Sequence, residues 1–149
     1  MELKNLLVDS KTTWVEFPGL DSFEVELANL SRKELVALRK RCTTNKFNRK
    51  TRAFEEVLDD DKFVKEFTDA TVKKWKGLKL KFLEDLVLVE LGNNEPNSML
   101  PYTIENAQQL VENSNEFDNW LNEVVFDLDH FRSAEQAKTK GQARTISQS

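Results

Sequence analysis

The chain has 149 residues, a formal net charge of −4, 39% apolar residues and 32% charged residues. This length suits one domain with a single core, and the four glycines and three prolines favour helices over a turn-rich sandwich. No apolar run is long enough to span a membrane, residues 1–5 lack the basic and apolar regions of a signal peptide, and a single cysteine excludes an internal disulfide. We therefore expect a polar, soluble protein of a reducing cytoplasm with no membrane partner.

The charges are segregated along the chain. Nine basic residues and one acid lie between residues 32 and 52, whereas seven lysines and eighteen acids lie between residues 53 and 131. Segregation of this kind favours docking onto an oppositely charged surface, and the acidic half of an identical chain is one such surface. We therefore expect self-association as one use of these charges.

Residues 13–27 are predicted to form a β-hairpin. Apolar and polar side chains alternate over residues 14–17 and 23–27, and residues 18–22 between them have the composition of a turn. Because an isolated hairpin is marginally stable in water, its apolar face must lie on helices or on a neighbouring subunit. The pattern leaves both arrangements open.

A helix is predicted over residues 31–43. Ser31 can accept a hydrogen bond from the amide of Glu34, and the Glu34 side chain can reach back to Ser31, as in a capping box. The following residues, 43–51, show no apolar period and are rich in basic side chains. We expect an exposed, basic connecting loop there.

The most strongly patterned helix is predicted over residues 59–76. Its apolar side chains recur at helical spacing, three acids open it, three lysines close it, and Gly77 follows where a left-handed C-cap is expected. Periodicity does not separate helix from strand over residues 78–91, where we favour a helix over 80–90. Residues 92–98 are predicted to form a loop.

Two further helices are predicted, over residues 103–113 with Thr103 as N-cap and over residues 115–131 with a complete apolar stripe. From residue 132 the chain is small, polar and basic, which predicts a disordered, flexible tail over residues 132–149. The predicted fold class is α+β, mainly α: an N-terminal β-hairpin packed on a compact bundle of four to five helices. One domain over residues 1–131 would contain all of them.

No residue pattern indicates catalysis, a cofactor or a metal site. His130 is the only histidine, and Cys42 lies on a predicted buried helix face, so neither suits a catalytic group. The consecutive acids 59–61 point in different directions from a helix start and suit capping better than metal binding. No glycine-rich phosphate loop, GxSxG or CxxC motif occurs. We expect no enzymatic activity, no cofactor and no bound metal.

The basic segment 32–52 is the feature most suited to binding a partner. Nucleic-acid binding would also need exposed aromatic side chains, and only Phe47 and Phe54 are near, while the net acidic charge argues against it. An acidic protein surface is therefore the better partner. The candidate partner-binding residues are Arg39, Lys40, Arg41, Lys46, Arg49, Lys50 and Arg52. Five large side chains on the buried stripes are assigned to the core instead: Trp75, Leu78, Tyr102, Phe117 and Trp120.

Four short motifs occur in order within residues 14–131. They are Thr44-Asn45-Lys46-Phe47-Asn48-Arg49-Lys50-Thr51, Trp75-Lys76-Gly77-Leu78, Leu100-Pro101-Tyr102-Thr103-Ile104-Glu105-Asn106-Ala107 and Phe117-Asp118-Asn119-Trp120. In this order and spacing, the chain resembles the tail assembly chaperones of long-tailed, siphovirus-type bacteriophages. The resemblance covers most of the chain.

The resemblance implies a non-enzymatic protein of the infected host's cytoplasm. Members of this family bind the tape-measure protein, keep that long helical chain soluble and help recruit the tail-tube protein around it. They are usually absent from the mature virion, and many are also made in a longer, frameshifted form. Two other functions remain as alternatives: a small nucleic-acid-binding regulator that uses residues 32–52, and a structural tail subunit retained in the virion.

Overall fold

The computed structural model describes residues 1–8 and 11–132. In chain order its elements are β1 (Thr12–Glu16), β2 (Glu24–Ala28), α1 (Arg32–Arg41), β3 (Thr43–Asn48), β4 (Ala53–Leu58), α2 (Asp60–Thr71), β5 (Val72–Lys76), α3 (Leu80–Leu86), α4 (Ile104–Asn113) and α5 (Asn115–Val125), with short 3-10 helices at Leu3–Asn5 and Leu128–His130. The mainly helical α+β class is confirmed. The tail predicted over residues 132–149 lies outside the described residues, apart from Arg132.

The predicted N-terminal hairpin is present, and it is part of a larger sheet. β1 and β2 pair antiparallel, with Thr12 opposite Ala28 and Glu16 opposite Glu24. β5 pairs with the other edge of β2, so the sheet order is β1-β2-β5. β2 is therefore the central strand, and one face of the sheet packs on the helices to form the core.

The helix predicted over residues 59–76 begins where expected but ends five residues early. Asp59 is its N-cap and accepts a hydrogen bond from the amide of Lys62 at 3.2 Å. The helix stops at Thr71, and residues 72–76 form β5. The local spacing of apolar side chains suits a helix, so the prediction is wrong for a reason that lies elsewhere in the chain. β2 has a second hydrogen-bonding edge, which a strand can satisfy and a helix cannot.

Side chains of β5 have partners that a helix would not have given them. Trp75 lies opposite Val25, and Lys76 lies opposite Glu24. The Nζ atom of Lys76 is 3.1 Å from Oε2 of Glu24 and 4.6 Å from the ring centroid of Trp14. The lysine therefore contributes to sheet pairing and to a cation–π contact rather than to a helix C-terminus.

Gly77 is not the helix C-cap that the sequence predicts. It ends β5 with φ of +75°, and its backbone lies directly against the turn between β1 and β2. An added Cβ would be 1.8 Å from the carbonyl oxygen of Ser22. Glycine is required here because the two backbones approach more closely than any side chain permits.

Aromatic rings join the sheet to the last helix. Phe17 stacks on Phe117 with ring centroids 5.9 Å apart and meets the edge of Trp120 at 4.9 Å. Phe23 contacts both Phe117 and Trp75 at 6.4 Å. Because Phe23 and Phe117 are fully buried, this cluster lies at the centre of the core.

The remaining helices are present with shorter bounds than predicted. The helix predicted over 80–90 ends at Leu86, and the amides of its first turn donate to the carbonyls of Pro96 and Ser98 in the following loop. The helix predicted over 103–113 is α4, capped by Thr103 as expected. None of the helices in the described part of the chain is long and apolar enough to cross a membrane.

The last helix, predicted over residues 115–131, ends at Val125. The carbonyl oxygen of Val125 accepts a hydrogen bond from the amide of Leu30, so a tertiary contact replaces the next helical bond. Asp127 then caps a separate 3-10 turn by accepting from the amide of Asp129 at 3.0 Å. The apolar stripe continues through this turn, and Phe131 is still buried.

Gly77→Ala should lower the free energy of unfolding by about 2–4 kcal/mol. The cost combines a positive φ with the collision between the new Cβ and the Ser22 carbonyl. Urea unfolding monitored by tryptophan fluorescence measures the change.

Gly92→Ala is the matched control. Gly92 also has a positive φ, +58°, but a Cβ there would meet nothing within 4 Å. We expect a loss of only about 1 kcal/mol from backbone strain. Equal losses in the two variants would contradict a role for the close approach to Ser22.

Candidate protein-interaction surface

Residues 43–58 form a β-hairpin, which we call the arm, so the exposed loop predicted over 43–51 is wrong. β3 and β4 pair antiparallel from Thr43 opposite Leu58 to Asn48 opposite Ala53. They make a separate two-stranded sheet and do not join the β1-β2-β5 sheet. The sequence feature that indicates this hairpin is the position of Phe47 and Phe54 on either side of a turn. The polar and basic composition of the segment favoured a loop instead.

One face of the arm exposes a pair of phenyl rings. Phe47 lies opposite Phe54, and their rings meet edge to face with centroids 5.5 Å apart. Their exposed fractions are 55% and 74%. Because directly opposed residues share one face of a hairpin, Asn45 and Glu56 flank the rings on the same side. Adjacent exposed aromatic side chains are a feature of protein-binding surfaces.

The tip of the arm is a cationic turn. The amide of Arg52 donates to the carbonyl oxygen of Asn48 at 2.7 Å, and the Asn48 side chain accepts from the amide of Lys50 at 2.8 Å. Arg52 has φ of +56°, a conformation that glycine or asparagine adopts at lower cost. The turn thus keeps an arginine where another residue would be more stable. Such strain is found preferentially at functional positions.

The root of the arm is fixed by contacts around Cys42. The amide of Asp59, at the end of β4, donates to the carbonyl oxygen of Cys42 at 2.8 Å. The buried Cys42 thiol donates to Oε2 of Glu66 on α2 at 2.7 Å, and Nε of Arg41 lies 3.5 Å from the other Glu66 oxygen. The two ends of the arm are thereby tied to each other and to α1 and α2.

The thiol–carboxylate contact changes both pKa values in a consistent direction. Burial, followed by the hydrogen bond and negative charge of Glu66, raises the pKa of Cys42 from 9.0 to about 11. The hydrogen bond from the thiol, assisted by Arg41, lowers the pKa of Glu66 even though desolvation opposes it. A protonated, buried thiol is a poor nucleophile, so this contact suits the structure of the root rather than chemistry.

The seven predicted partner-binding residues fall into two groups, all of them exposed. The last turn of α1, beside the root, carries Arg39, Lys40 and Arg41, and the arm itself carries Lys46, Arg49, Lys50 and Arg52. In the first group Arg41 contacts Glu66, and the guanidinium of Arg39 lies 6.0 Å from the ring centroid of Phe63. The arm group forms no ion pair with any residue in the described ranges. The arm cations are therefore the more available of the two groups.

The five residues assigned to the core lie in the interior. Trp75, Leu78 and Phe117 are buried, and Tyr102 and Trp120 are half-buried against the same cluster. Nε1 of Trp75 donates to the carbonyl oxygen of Leu100 at 2.9 Å, so the polar atom of this buried side chain has a partner.

Two of the motifs that carry the resemblance pack against each other. The rings of Trp75 and Tyr102 meet edge to face at 5.2 Å, and the Tyr102 hydroxyl donates to the carbonyl oxygen of Val72 at 3.0 Å. Asn106 adds a hydrogen bond to the carbonyl oxygen of Pro101 at 3.0 Å, which fixes the entry into α4. These motif residues therefore hold the strand β5 against the start of α4.

A second surface feature, which the sequence did not reveal, is an apolar groove of about 380 Å³ between α3 and α4. Its lining consists of Leu83, Val87, Leu88, Val89, Leu100 and Leu110, with the amide side chains of Asn106, Gln109 and Asn113. The sequence predicts a helix through residue 90, whereas residues 87–90 are not helical in the structure and form part of the groove wall. The side chain of Leu88 is consequently fully exposed.

The acidic and histidine side chains serve local structure. Asp59 caps α2, and Asp60 and Asp61 occupy its first turn, where they match the helix dipole. Nε2 of His130 lies 3.7 Å from Oδ2 of Asp127 on the surface. Within residues 1–8 and 11–132, no three His, Cys, Asp or Glu side chains lie close enough to hold a metal ion.

Comparison with protein-family models, with curated proteins and with solved structures finds no match to this chain.

The contact between Cys42 and Glu66 predicts a loss of stability at alkaline pH. The raised thiol pKa favours folding fully below pH 9.0, and this contribution disappears as the pH rises toward about 11. The free energy of unfolding of the native protein should therefore fall more steeply over this interval than that of Cys42→Ala. Denaturant titrations at a series of pH values measure both slopes, and parallel slopes would contradict the assignment.

Acid titration tests the role of Glu66 in the same contact. The lowered pKa of Glu66 contributes stability above its ordinary pKa of 4.5, and the contribution is lost as the pH falls through the folded-state value. Glu66→Gln should flatten this acid limb. Parallel acid limbs in the native protein and in Glu66→Gln would contradict the assignment.

Proposed function

We propose that the protein is a non-catalytic tail assembly chaperone that binds the tape-measure protein and promotes assembly of the tail-tube protein around it. It would act in the cytoplasm of the infected host and be absent from the mature virion. The order of the four motifs supports this family, and one structural observation supports the binding role. That observation is the arm, which exposes two phenyl rings on one face and stands on a fixed root. It carries three exposed cations at its tip, Arg49, Lys50 and Arg52, and a fourth, Lys46, on the opposite face.

The arm has the chemistry to bind an amphipathic, acidic helical segment. Burying a phenylalanine side chain contributes about 1.5–3 kcal/mol, whereas each exposed ion pair contributes about 0.2–1 kcal/mol. The rings would therefore supply most of the affinity, and Lys46, Arg49, Lys50 and Arg52 would supply steering and orientation. Set against the loss of translational and rotational freedom, a contact of this size is weak and reversible. Reversibility suits a chaperone that must release its client.

Neutralising the arm should weaken client binding about tenfold or more. The variant changes Lys46, Arg49 and Lys50 to serine. Arg52 is changed to glycine, because its positive φ suits glycine better than serine. Binding is measured by titrating a purified tape-measure segment with the chaperone and following fluorescence anisotropy. A second variant, Phe47→Ser with Phe54→Ser, should lose at least as much affinity.

The control removes the same charge from elsewhere on the surface. Lys33, Lys65, Lys74 and Lys81 are exposed and lie outside the arm, and their joint change to serine alters the net charge equally. We expect this control to bind the segment as the native protein does. Equal weakening by both sets would mean that net charge, rather than the arm, determines binding. Absence of any binding by the native protein would refute the proposed client.

The arm also provides the observation that favours the nucleic-acid alternative. Single-stranded nucleic acid is bound by exposed aromatic rings beside cations, and both occur on the arm. Glu55 and Glu56 on β4 and the acidic remainder of the chain would oppose it. We expect no mobility shift of RNA or DNA at physiological salt. Tight binding that the arm variant abolishes would favour the regulator instead.

The structural-subunit alternative is separated by the composition of purified particles. Mass spectrometry of mature virions should not detect this chain. Its presence at the stoichiometry of the tail tube would favour a structural subunit.

A further inference from the structure

We propose that β1 of one copy of this chain pairs antiparallel with β1 of a second copy, about a two-fold axis that passes beside Trp14. The two three-stranded sheets then form one continuous sheet, in the order β5-β2-β1-β1-β2-β5. This inference does not depend on the proposed chaperone function. It uses backbone groups of β1 rather than the charged segments from which the sequence predicts self-association.

The outer edge of β1 carries backbone groups that point away from the sheet. At one end of the β1–β2 ladder, the amide of Phe17 donates to the carbonyl oxygen of Phe23 at 2.9 Å, and at the other end the carbonyl oxygen of Lys11 accepts from the amide of Asn29 at 3.3 Å. Inward and outward backbone groups alternate along an antiparallel strand, so the odd-numbered residues of β1 bond to β2 and the even-numbered residues point outward. β1 has no strand on its outer side within residues 1–8 and 11–132. The outward-pointing residues are Thr12, Trp14 and Glu16.

β1 lacks the features that protect the other strand edges from pairing. The opposite edge of the same sheet, β5, carries three lysines, and its pairing with β2 is interrupted by a register shift. The strands of the arm carry Lys46, Glu55 and Glu56. β1 instead pairs regularly with β2 over all of its residues, contains no lysine or proline, and has one charge, Glu16, at its end. Charges, prolines and bulges are the means by which edge strands avoid pairing, so the edge of β1 is suited to accept another strand.

Trp14 supplies exposed aromatic surface at the middle of this edge. Its side chain is 40% exposed and lies on the solvent-facing side of the sheet. Nζ of Lys76 lies 4.6 Å from its ring centroid, and this cation–π contact restrains the indole. In a pair centred on Trp14, the two indoles lie on the same face with their Cα atoms about 5.5 Å apart. Dimerisation therefore removes more of each ring from water.

A second copy is the partner whose strand matches this edge in both hydrogen bonding and charge. With the axis beside Trp14, the backbone of Trp14 bonds to Trp14 of the second copy, and Thr12 bonds to Glu16 of the second copy. Every outward-pointing residue of β1 then has a partner. Lys11 precedes the strand and Glu16 ends it, so antiparallel pairing places the cation of each copy beside the carboxylate of the other. The contact is isologous and closes after two copies.

Sedimentation equilibrium of the intact chain is the first test. The native protein should form a dimer of twice 17.3 kDa. Trp14→Lys should weaken dimerisation about tenfold or more, because it places two like charges directly opposite each other at the axis. Val36→Lys is the matched control, since Val36 is 42% exposed on α1 and the variant adds the same charge outside the sheet. A native protein that stays monomeric at about 100 μM would overturn the proposal, as would equal weakening by both variants.

A proline separates the backbone pairing from side-chain effects. The amide of Thr12 points outward from the first residue of β1, a position where proline is tolerated in an edge strand. Thr12→Pro removes a donor that only the second copy uses, and it should weaken dimerisation about tenfold or more. Circular dichroism should show an unchanged fold. A dimer that Thr12→Pro leaves intact would mean that the copies associate through another surface.

Disulfide formation tests the register and the identity of the partner strand. Because Thr12 of one copy lies opposite Glu16 of the other, a mixture of Thr12→Cys and Glu16→Cys chains should form a covalent dimer on mild oxidation. Thr12→Cys chains alone should not, because the two-fold axis places their substituted residues at opposite ends of the paired strands. The native Cys42 is buried and does not compete. A covalent dimer from Thr12→Cys alone, or none from the mixture, would overturn the proposed pairing.

Discussion

The pairing of β5 with β2 is the constraint on which the rest of the fold depends. It converts an N-terminal hairpin into a three-stranded sheet and ends α2 at Thr71, so that the chain reverses into a strand. The pairing is possible because Gly77 lets the backbone pass directly against Ser22 at the β1–β2 turn. With β5 in place, Trp75 is carried into the core, where it contacts Phe23 and hydrogen-bonds the segment that leads into α4.

That arrangement commits the large aromatic side chains of the last three motifs to structure. Phe117 and Trp120 hold α5 to the hairpin, and Trp75 and Tyr102 hold β5 to the start of α4. A binding function must therefore use the periphery of the molecule. The part of the chain that the structure describes has three peripheral features with the chemistry to bind another protein: the arm, the groove and the outer edge of β1.

The arm and the groove differ in chemistry and so suit different partners. The arm combines exposed rings with cations on a two-stranded support, and its root is anchored by the protonated thiol of Cys42 against the ionised Glu66. This suits orientation of an acidic client. The groove has apolar walls and the fully exposed side chain of Leu88 at its edge, which suits an apolar partner.

Local chemistry in the sequence determined the helix starts, because Ser31, Asp59 and Thr103 cap the backbone amides that follow them within three residues. It also determined the first hairpin, whose strands and turn are contiguous, and the set of basic residues that remain exposed. Only the tertiary structure decided that residues 72–76 form a strand. Their partner strand lies about fifty residues earlier, and the local spacing of apolar side chains carries no information about an unpaired sheet edge so far away in the chain. Tertiary structure also decided that residues 43–58, whose composition is typical of a loop, pair as the arm. The groove exists because α3 ends at Leu86, before the predicted end of the helix. Helix caps act over one turn of chain, whereas strand pairing and grooves depend on residues that only folding brings together.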